Sequence, residues 1–210
     1  MATAPSPRSE GDILAEIAEI AEEWDALGRP NVFFEGFEPF AHPALPSLIS
    51  AAADAGFARI GLETDGGALA RPGNAAGALH AGVRHVKIRT LGLDRSADEI
   101  CGRPGLSASV LQGMDALSHA ADDLGVVVAV SGVVPLCRHN VELLPATVAA
   151  LAQAGAGCVT IASGGVPPSG AEAFITAACD TGTIDRVWVE VHDLPVPRSH
   201  ESHRAGAHSW

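Results

Sequence analysis

Short apolar runs alternate with longer amphipathic segments along most of the chain, and this alternation constrains the fold more than any other feature of the sequence. The apolar runs, which are typical of buried strands, predict β-strands at 31–36, 58–64, 85–91, 126–134, 158–165 and 186–196. Apolar residues at helical spacing predict helices within 10–28, 43–56, 66–82, 105–125, 140–155 and 171–180. Strands and helices that alternate through short loops are typical of a parallel sheet with right-handed crossovers.

The length of the chain, 210 residues, limits how far this repeat can extend. A complete eight-unit barrel usually needs about 250 residues, so only about six strands fit. We therefore predict an α/β fold, an open partial (β/α) barrel. It should form a single domain over residues 10–196, with a disordered leader at 1–9 and a mobile polar tail at 197–210.

The first predicted strand, 31–36, follows a helix and not another strand, which places it at an edge of the sheet. Its sequence, NVFFEG, is mostly apolar, and an apolar edge strand is prone to pair with other chains. We expect the first helix, the tail or a second copy of the protein to cover this strand. A homodimer is the preferred prediction.

Charge and cysteine content restrict the partners and the compartment. The formal net charge of −12 argues against nucleic acid and anionic membranes, because both are bound by clustered lysine and arginine. The sequence has no apolar run of about 18 residues, as a membrane span requires, and its first ten residues lack the apolar segment of a secretory signal. The four cysteines follow no metal-binding spacing, which favours reduced thiols in a cytoplasmic protein.

A series of motifs follows the predicted strands in a definite order. The turn Gly36-Phe37-Glu38-Pro39 ends the first strand, and His42-Pro43-Ala44-Leu45 starts the next helix. Further along are AGFARIGLETDGGALA (55–70), AGVRHVKIRTLGLDRSADEICGRPG (81–105) and VVAVSGVVPLCRHNVELLP (127–145). Over roughly residues 10–195, this series resembles the core of radical S-adenosylmethionine (SAM) enzymes, which carry a Gly-Gly-Glu-Pro turn after the second strand of their partial barrel.

The resemblance implies a SAM-type site at the carboxyl ends of the strands. The residues that it implies for cofactor binding are Gly36, Phe37, Glu38, Pro39, Thr64, Asp65 and Ser131. The family's turn contacts the SAM amino group through its backbone, and Phe37 stands where the family has a glycine. A phenylalanine restricts the backbone and adds a bulky ring at this position. The resemblance makes SAM a candidate cofactor, and the sequence identifies no other cofactor.

The cysteine loop of the family is the larger departure. In the family, a first strand and a CxxxCxxC loop should precede the helix predicted here at 10–28, and at that place the sequence shows only a ten-residue leader without cysteine. Iron–sulfur clusters need thiolate ligands. A 4Fe–4S cluster is therefore not expected, nor is reductive cleavage of SAM.

Ligands of parallel α/β folds bind at the carboxyl ends of the strands, which selects three candidate catalytic residues, Glu63, Arg89 and His139. Arg89 is suited to a carboxylate, and Glu63 to an amine or to ribose hydroxyls. Glu63 and His139 are also candidates for general acid–base work. An internal ion pair between Arg89 and Glu63 on neighbouring strands is an equally good interpretation.

Two metal-binding alternatives stay open, although no ligand spacing supports them. Carboxylates and histidine at strand ends would suit Mn²⁺ or Zn²⁺, and the residues concerned are Glu35, Glu63, His192 and Asp193. A thiol or zinc site could combine Cys101 with Cys137 and His139. The sequence assigns no metal ligand beyond these alternatives.

The sequence is compatible with three functions. The preferred hypothesis is a cluster-free enzyme of specialised, natural-product metabolism that binds an amino-acid-like or nucleotide-like molecule and acts by non-radical chemistry. The second is a non-catalytic partner of a complete radical SAM enzyme, or a peptide-binding module. The third is a metal-dependent barrel hydrolase or isomerase.

Overall fold

A computed structural model describes residues 8–24, 31–36, 38–163 and 169–192. Most of the predicted leader and the whole predicted tail lie outside these residues, as do Phe37 and Asp193. The predicted domain limits therefore stay a prediction.

Six strands and seven α-helices are present within the described ranges. The strands are β1 (Asn31–Phe34), β2 (Arg59–Thr64), β3 (Val83–Arg89), β4 (Ala129–Pro135), β5 (Cys158–Ala162) and β6 (Trp188–His192). The helices are α1 (Glu10–Trp24), α2 (Leu45–Asp54), α3 (Asn74–Ala81), α4 (Arg95–Cys101), α5 (Leu106–Leu124), α6 (Leu144–Gln153) and α7 (Ala171–Asp185). Short 3₁₀ turns occupy Pro39–Ala41, Gly67–Ala70 and Val141–Leu143.

All six strands are parallel, and they lie in the sheet in sequence order from β1 to β6. Each crossover thus connects a strand to its immediate neighbour, which is the topology of a (β/α) barrel. The predicted α/β class and the open partial barrel are confirmed. The position of β1 at an edge of the sheet is confirmed as well.

The two faces of the sheet differ because side chains alternate along each strand. On β3, Val86 and Ile88 are fully buried, whereas His85, Lys87 and Arg89 are partly exposed. The buried set continues on the other strands and packs against the helices. At Gly132 of β4 the helix layer is so close that a Cβ would lie 2.5 Å from the Leu151 side chain of α6. We call the opposite, more polar side of the sheet the inner face.

The limits of several elements differ from the predicted ones: β4 begins at Ala129, for example, and α7 ends at Asp185. Two further differences concern the connections after β1 and β3. Helix α4 was not predicted; its start is fixed by Asp94, whose carboxylate accepts a hydrogen bond of 2.8 Å from the Ala97 backbone N–H. The second predicted helix begins at Leu45 and not at Pro43, because the turn Pro39–Ala41, capped by Glu38, precedes it. Helix α4 lengthens the connection from β3 to β4, and the turn Pro39–Ala41 lies between β1 and α2.

Candidate functional site

The inner face is arranged in layers that cross the sheet, because paired residues of neighbouring strands stand side by side. One layer runs through Glu63, Lys87, Ser131, Cys158 and Trp188. The layer towards the amino ends contains Phe33, Gly61, His85 and Ala129, and the layer towards the carboxyl ends contains Arg89, Val133, Thr160 and Glu190. Charged and polar side chains thus recur at each depth of the inner face.

Arg89 joins three strands at the carboxyl end of the inner face. Its Nε lies 3.6 Å from Glu63 Oε1, and its Nη2 donates a hydrogen bond of 3.1 Å to the carbonyl oxygen of Gly36 beyond β1. The Glu63 side chain is 15% exposed and that of Arg89 is 40% exposed, so the pair is accessible from one side. The structure therefore brings together Gly36, Glu63 and Arg89, and the cross-strand ion pair exists.

Glu38 lies at the centre of a second network, on the rim formed by the loops after the strands. Its carboxylate accepts hydrogen bonds from Thr64 Oγ1 at 2.8 and 2.9 Å, from the Asp65 N–H at 2.9 Å and from the Phe40 N–H at 3.2 Å. Thr64 is fully buried. The structure thus brings Glu38, Thr64 and Asp65 together. The carboxylate is engaged by internal donors, with Pro39 buried beside it.

Asp65 extends this network to the segment before α5. Its Oδ1 accepts from the Gly67 N–H at 3.0 Å, and Arg103 Nη1 donates to its Oδ2 at 2.6 Å. The hydrogen bond with Asp65 raises the pKa of the Arg103 guanidinium further above its already high value. The segment that resembles the family's Gly-Arg-Pro-Gly therefore ties the end of β2 to the start of α5.

A cleft of about 530 Å³ opens beside this network. Glu38, Asp65 and Arg103 line it together with Phe40, Arg71 and Leu106. Arg71 is exposed and makes no ion pair within the part of the chain that the structure describes. The cleft is open to water and lies on the rim.

Ser131 does not join either of these networks. Its Oγ lies 3.0 Å from Nε2 of His85, deeper on the inner face. The His85 ring meets the Phe33 ring edge-on, with 5.1 Å between centroids, and the Lys87 ammonium lies 4.1 Å from the centroid of Phe33. Burial lowers the pKa of His85, and the positive charges of Lys87 and Arg59 lower it further, which favours a neutral imidazole.

His139 stands apart from the other candidate catalytic residues. It is exposed in the loop after β4, where Arg138 Nε donates to its Nε2 at 2.9 Å. The neighbouring Asn140 is fully buried: its Oδ1 accepts from the Cys137 N–H, and its Nδ2 donates to the carbonyls of Leu91 and Pro135. This loop is held by Asn140, and within the described ranges no hydrogen bond or ion pair joins His139 to Glu63 or Arg89.

Within the described ranges, no group of three or more His, Cys, Asp or Glu side chains is arranged to hold a metal ion. Burial raises the pKa of the Cys158 thiol to about 11, and it also raises the pKa values of Cys101 and Cys179. Neither metal-binding alternative gains support from the described residues, and Asp193 lies outside them.

Sequence reasoning selected Arg89 from β3 but missed His85 and Lys87, which lie on the same face. A signal was available in VRHVKIR (83–89), where every second residue from His85 onward is polar. Such alternation indicates a strand with one polar face. Phe33 carried no comparable signal, because its contact with Lys87 depends on the packing of β1 beside β2.

Solved structures resemble this fold although the sequences are very different. SuiB of Streptococcus suis bound to precursor peptide SuiA superposes with a TM-score of 0.65 at 9% identity, covering 91% of this chain and 44% of that one. SuiB bound to S-adenosylmethionine gives 0.61 at 10% identity, covering 91% and 46%. The aldolase QR15 gives 0.53 at 14% identity, covering 86% and 75%.

These likenesses show the fold alone, because all the identities are low. The predicted partial barrel of the radical SAM type is confirmed at this level, and an aldolase shares the fold. The chain spans less than half the length of the SuiB chains that it matches. No protein-family model matches the sequence, and no curated protein matches it. Within the described residues, no helix is both long enough and apolar enough to cross a bilayer.

Proposed function

We propose that the inner face binds a small molecule with both a positive and a negative group, amino-acid-like or nucleotide-like, at the carboxyl ends of β1 to β3. The observation that carries this proposal is the contact of Arg89 with both Glu63 and the Gly36 carbonyl. A ligand carboxylate can take the exposed side of the guanidinium, while a ligand amine finds acceptors in Glu63 and Gly36.

A ligand at this point would have to replace only weak internal contacts. The Arg89–Glu63 distance of 3.6 Å is long for a charge-assisted hydrogen bond, and both groups keep part of their surface in contact with water. In contrast, a ligand at Glu38 would have to replace several short internal hydrogen bonds. The proposed site is therefore centred on Arg89 and not on the Glu38 turn.

SAM is one ligand with the required chemistry, since its methionine part carries an amine and a carboxylate. The SAM-bound structure of SuiB supports this choice by likeness of fold. Because the four cysteines belong to separate elements and have no CxxxCxxC spacing, we propose that this chain uses its ligand without radical chemistry. We place such an enzyme in the specialised metabolism of the cytoplasm.

Calorimetric titration tests the site. We expect SAM, S-adenosylhomocysteine or methionine to bind the unmodified protein, and Arg89→Gln to weaken binding by about tenfold or more through the loss of a charge-assisted contact. Arg95→Gln is the matched control, because Arg95 lies on the exposed side of α4 and, among the residues that the structure describes, forms an ion pair with Glu99 alone. Absence of heat with all three ligands, or equal binding by both variants, would contradict the proposal.

A peptide partner is the second candidate function, favoured by the likeness to SuiB in complex with precursor peptide SuiA. The chain would then present the inner face to a peptide, either by itself or together with a complete radical SAM enzyme. Peptide binding that persists in Arg89→Gln while SAM and methionine produce no heat would select this function over the first.

The proposal includes self-association through the edge strand β1, as its sequence suggested. Strand β1 has a neighbour only on the side of β2 in the described sheet. We expect a dimer in sedimentation experiments and its loss in Asn31→Pro, because a proline in an exposed edge strand discourages pairing with another chain. A monomer at all concentrations would contradict this part of the proposal.

A further inference from the structure

We propose that a second subsite on the inner face, which we call the floor cluster, binds an oxyanion. The floor cluster consists of Phe33, Arg59, His85, Lys87 and Ser131. The inference rests on the proposed function in one respect, since it takes the inner face as the binding face. It adds the substrate class: an amino-acid-like ligand that carries a further acidic group, either a carboxylate or a phosphate.

The floor cluster carries positive charge that no ion pair compensates within the described residues. Neither Lys87 nor Arg59 forms an ion pair within the described residues. Glu63 is the register partner of Lys87, but its ion pair is with Arg89, and the Lys87 ammonium lies over the Phe33 ring instead. Both cations act electrostatically on His85, and in a protein with a net charge of −12 two cations without an ion pair on one face favour the binding of an anion there.

Phe33 contacts both Lys87 and His85 in this cluster. Phe33 lies flat against β2, where Gly61 provides the space: a Cβ on Gly61 would lie 2.2 Å from the Phe33 ring. The ring meets the His85 ring edge-on, and the Lys87 ammonium lies over it, 4.1 Å from its centroid. The aromatic ring therefore contacts both the ammonium and the imidazole, which belong to alternate residues on the same face of β3.

Ser131 and His85 supply neutral donors. Their Oγ and Nε2 atoms lie 3.0 Å apart, so one proton joins the two groups. The second proton, on the serine hydroxyl or on His85 Nδ1 according to the tautomer, is available to a ligand. Burial, followed by the positive charges of Lys87 and Arg59, lowers the pKa of His85 and favours its neutral form. An oxyanion would thus meet an ammonium, a guanidinium and a hydroxyl, which is a donor set typical of carboxylate and phosphate sites.

The position of the floor cluster relative to Arg89 defines the ligand. Lys87 and Arg89 are two residues apart on β3 and face the same side, which corresponds to about 7 Å along the strand. A ligand whose amine and carboxylate occupy Glu63 and Arg89 can therefore place a second acidic group at Lys87. Glutamate-like and phosphorylated amino-acid-like molecules have this reach, as does an acidic residue of a bound peptide.

The test uses NMR of the ¹⁵N-labelled full chain at low ionic strength, with glutarate and inorganic phosphate as probes. We expect saturable shifts of the backbone amides of Gly61, His85 and Ser131. Lys87→Gln should weaken the binding of the tighter probe by about tenfold or more, whereas Lys87→Arg, which keeps the charge, should retain it. Arg95→Gln serves as the matched control. The probe that binds more tightly identifies the source of the oxyanion.

The possible outcomes separate this inference from the proposed function. Non-saturable shifts with both probes, or equal affinities in the unmodified protein and Lys87→Gln, overturn the floor cluster. If Lys87→Gln does not fold, the same measurement with Arg59→Gln decides the question, because Arg59 is exposed. Saturable probe binding in a protein that gives no heat with SAM or methionine supports the floor cluster and contradicts only the site at Arg89.

Discussion

The rim at the carboxyl ends of the strands and the floor cluster of the inner face are both rich in polar side chains, yet they use them differently. On the rim, Glu38, Asp65 and Asn140 direct their polar atoms to donors and acceptors of the protein itself. In the floor cluster, Lys87 and Arg59 have no carboxylate partner among the described residues. Satisfied polar groups stabilise a fold, whereas unsatisfied and accessible ones are available to a ligand.

The largest effect is expected from removing the Asn140 side chain, whose oxygen and nitrogen both have hydrogen-bond partners on the rim. Asn140→Ala should lower the free energy of unfolding by about 3 kcal/mol, because it leaves a backbone N–H and two carbonyls without their partner in a fully buried place. Urea unfolding measures the change, and the exposed neighbour Glu142→Gln provides the control. A loss below about 1 kcal/mol would show that the rim tolerates unsatisfied groups.

Glu38 tests the same idea at a residue that the sequence assigned to a cofactor. We expect Glu38→Ala to lower the free energy of unfolding by about 2 kcal/mol, since the Thr64 hydroxyl and the Asp65 N–H lose their acceptor. The matched control is Glu35→Gln, an exposed carboxylate in the same turn. Equal stability of the two variants in urea would mean that Glu38 is kept for binding and not for the fold.

The contrast also explains what the sequence could and could not predict. Apolar periodicity is a property of residues close together in the sequence, so it predicts individual helices and strands. Their alternation then predicted a sheet of parallel strands. The network of Glu38 is not local: Thr64 is 26 residues away, and Arg103 lies 38 residues beyond Asp65. Which carboxylate these donors reach depends on how the loops pack, and that information is absent from residue types and spacing.

Local signals also limited the prediction of α4 and of the floor cluster. Helix α4 has seven residues and offers only Asp94 as a start signal, too little for a periodic pattern. The alternation of polar residues in β3 could be seen in the sequence. However, a lysine or arginine in a strand is ordinarily taken for a solvent-exposed side chain until its neighbours in the fold are known. The contact of Lys87 with Phe33 joins residues from two strands that are not adjacent.

The floor cluster should respond to mutation in the opposite way to the rim. Lys87→Gln should change the free energy of unfolding by only about 0.5 kcal/mol, the worth of a partly exposed cation–π contact. Urea unfolding of Lys87→Gln and Glu38→Ala under the same conditions compares the contribution of the two regions to stability. A loss of about 2 kcal/mol or more would place Lys87 among the structural residues and remove the difference between the two regions.

The smallest expected effect is a pH dependence that comes from His85. Burial, with help from Lys87 and Arg59, holds its folded-state pKa below the unfolded value of about 6.5. The unfolded chain therefore binds more protons between the two pKa values, so the stability present above about pH 6.5 is lost as the pH falls through this window. His85→Gln should reduce this loss, as measured by urea unfolding between about pH 7.5 and 5.

His119 supplies a control of opposite sign on the surface of α5. Its ring lies 2.9 Å from the carbonyl oxygen of Asp115, and this hydrogen bond, followed by the Asp115 charge, raises its pKa. A raised pKa contributes stability that is present below the unfolded value and is lost as the pH rises. His119→Gln should therefore steepen the loss of stability on acidification, whereas His85→Gln flattens it. Equal pH profiles of the two variants would contradict the buried, cation-flanked position of His85 on which the floor cluster depends.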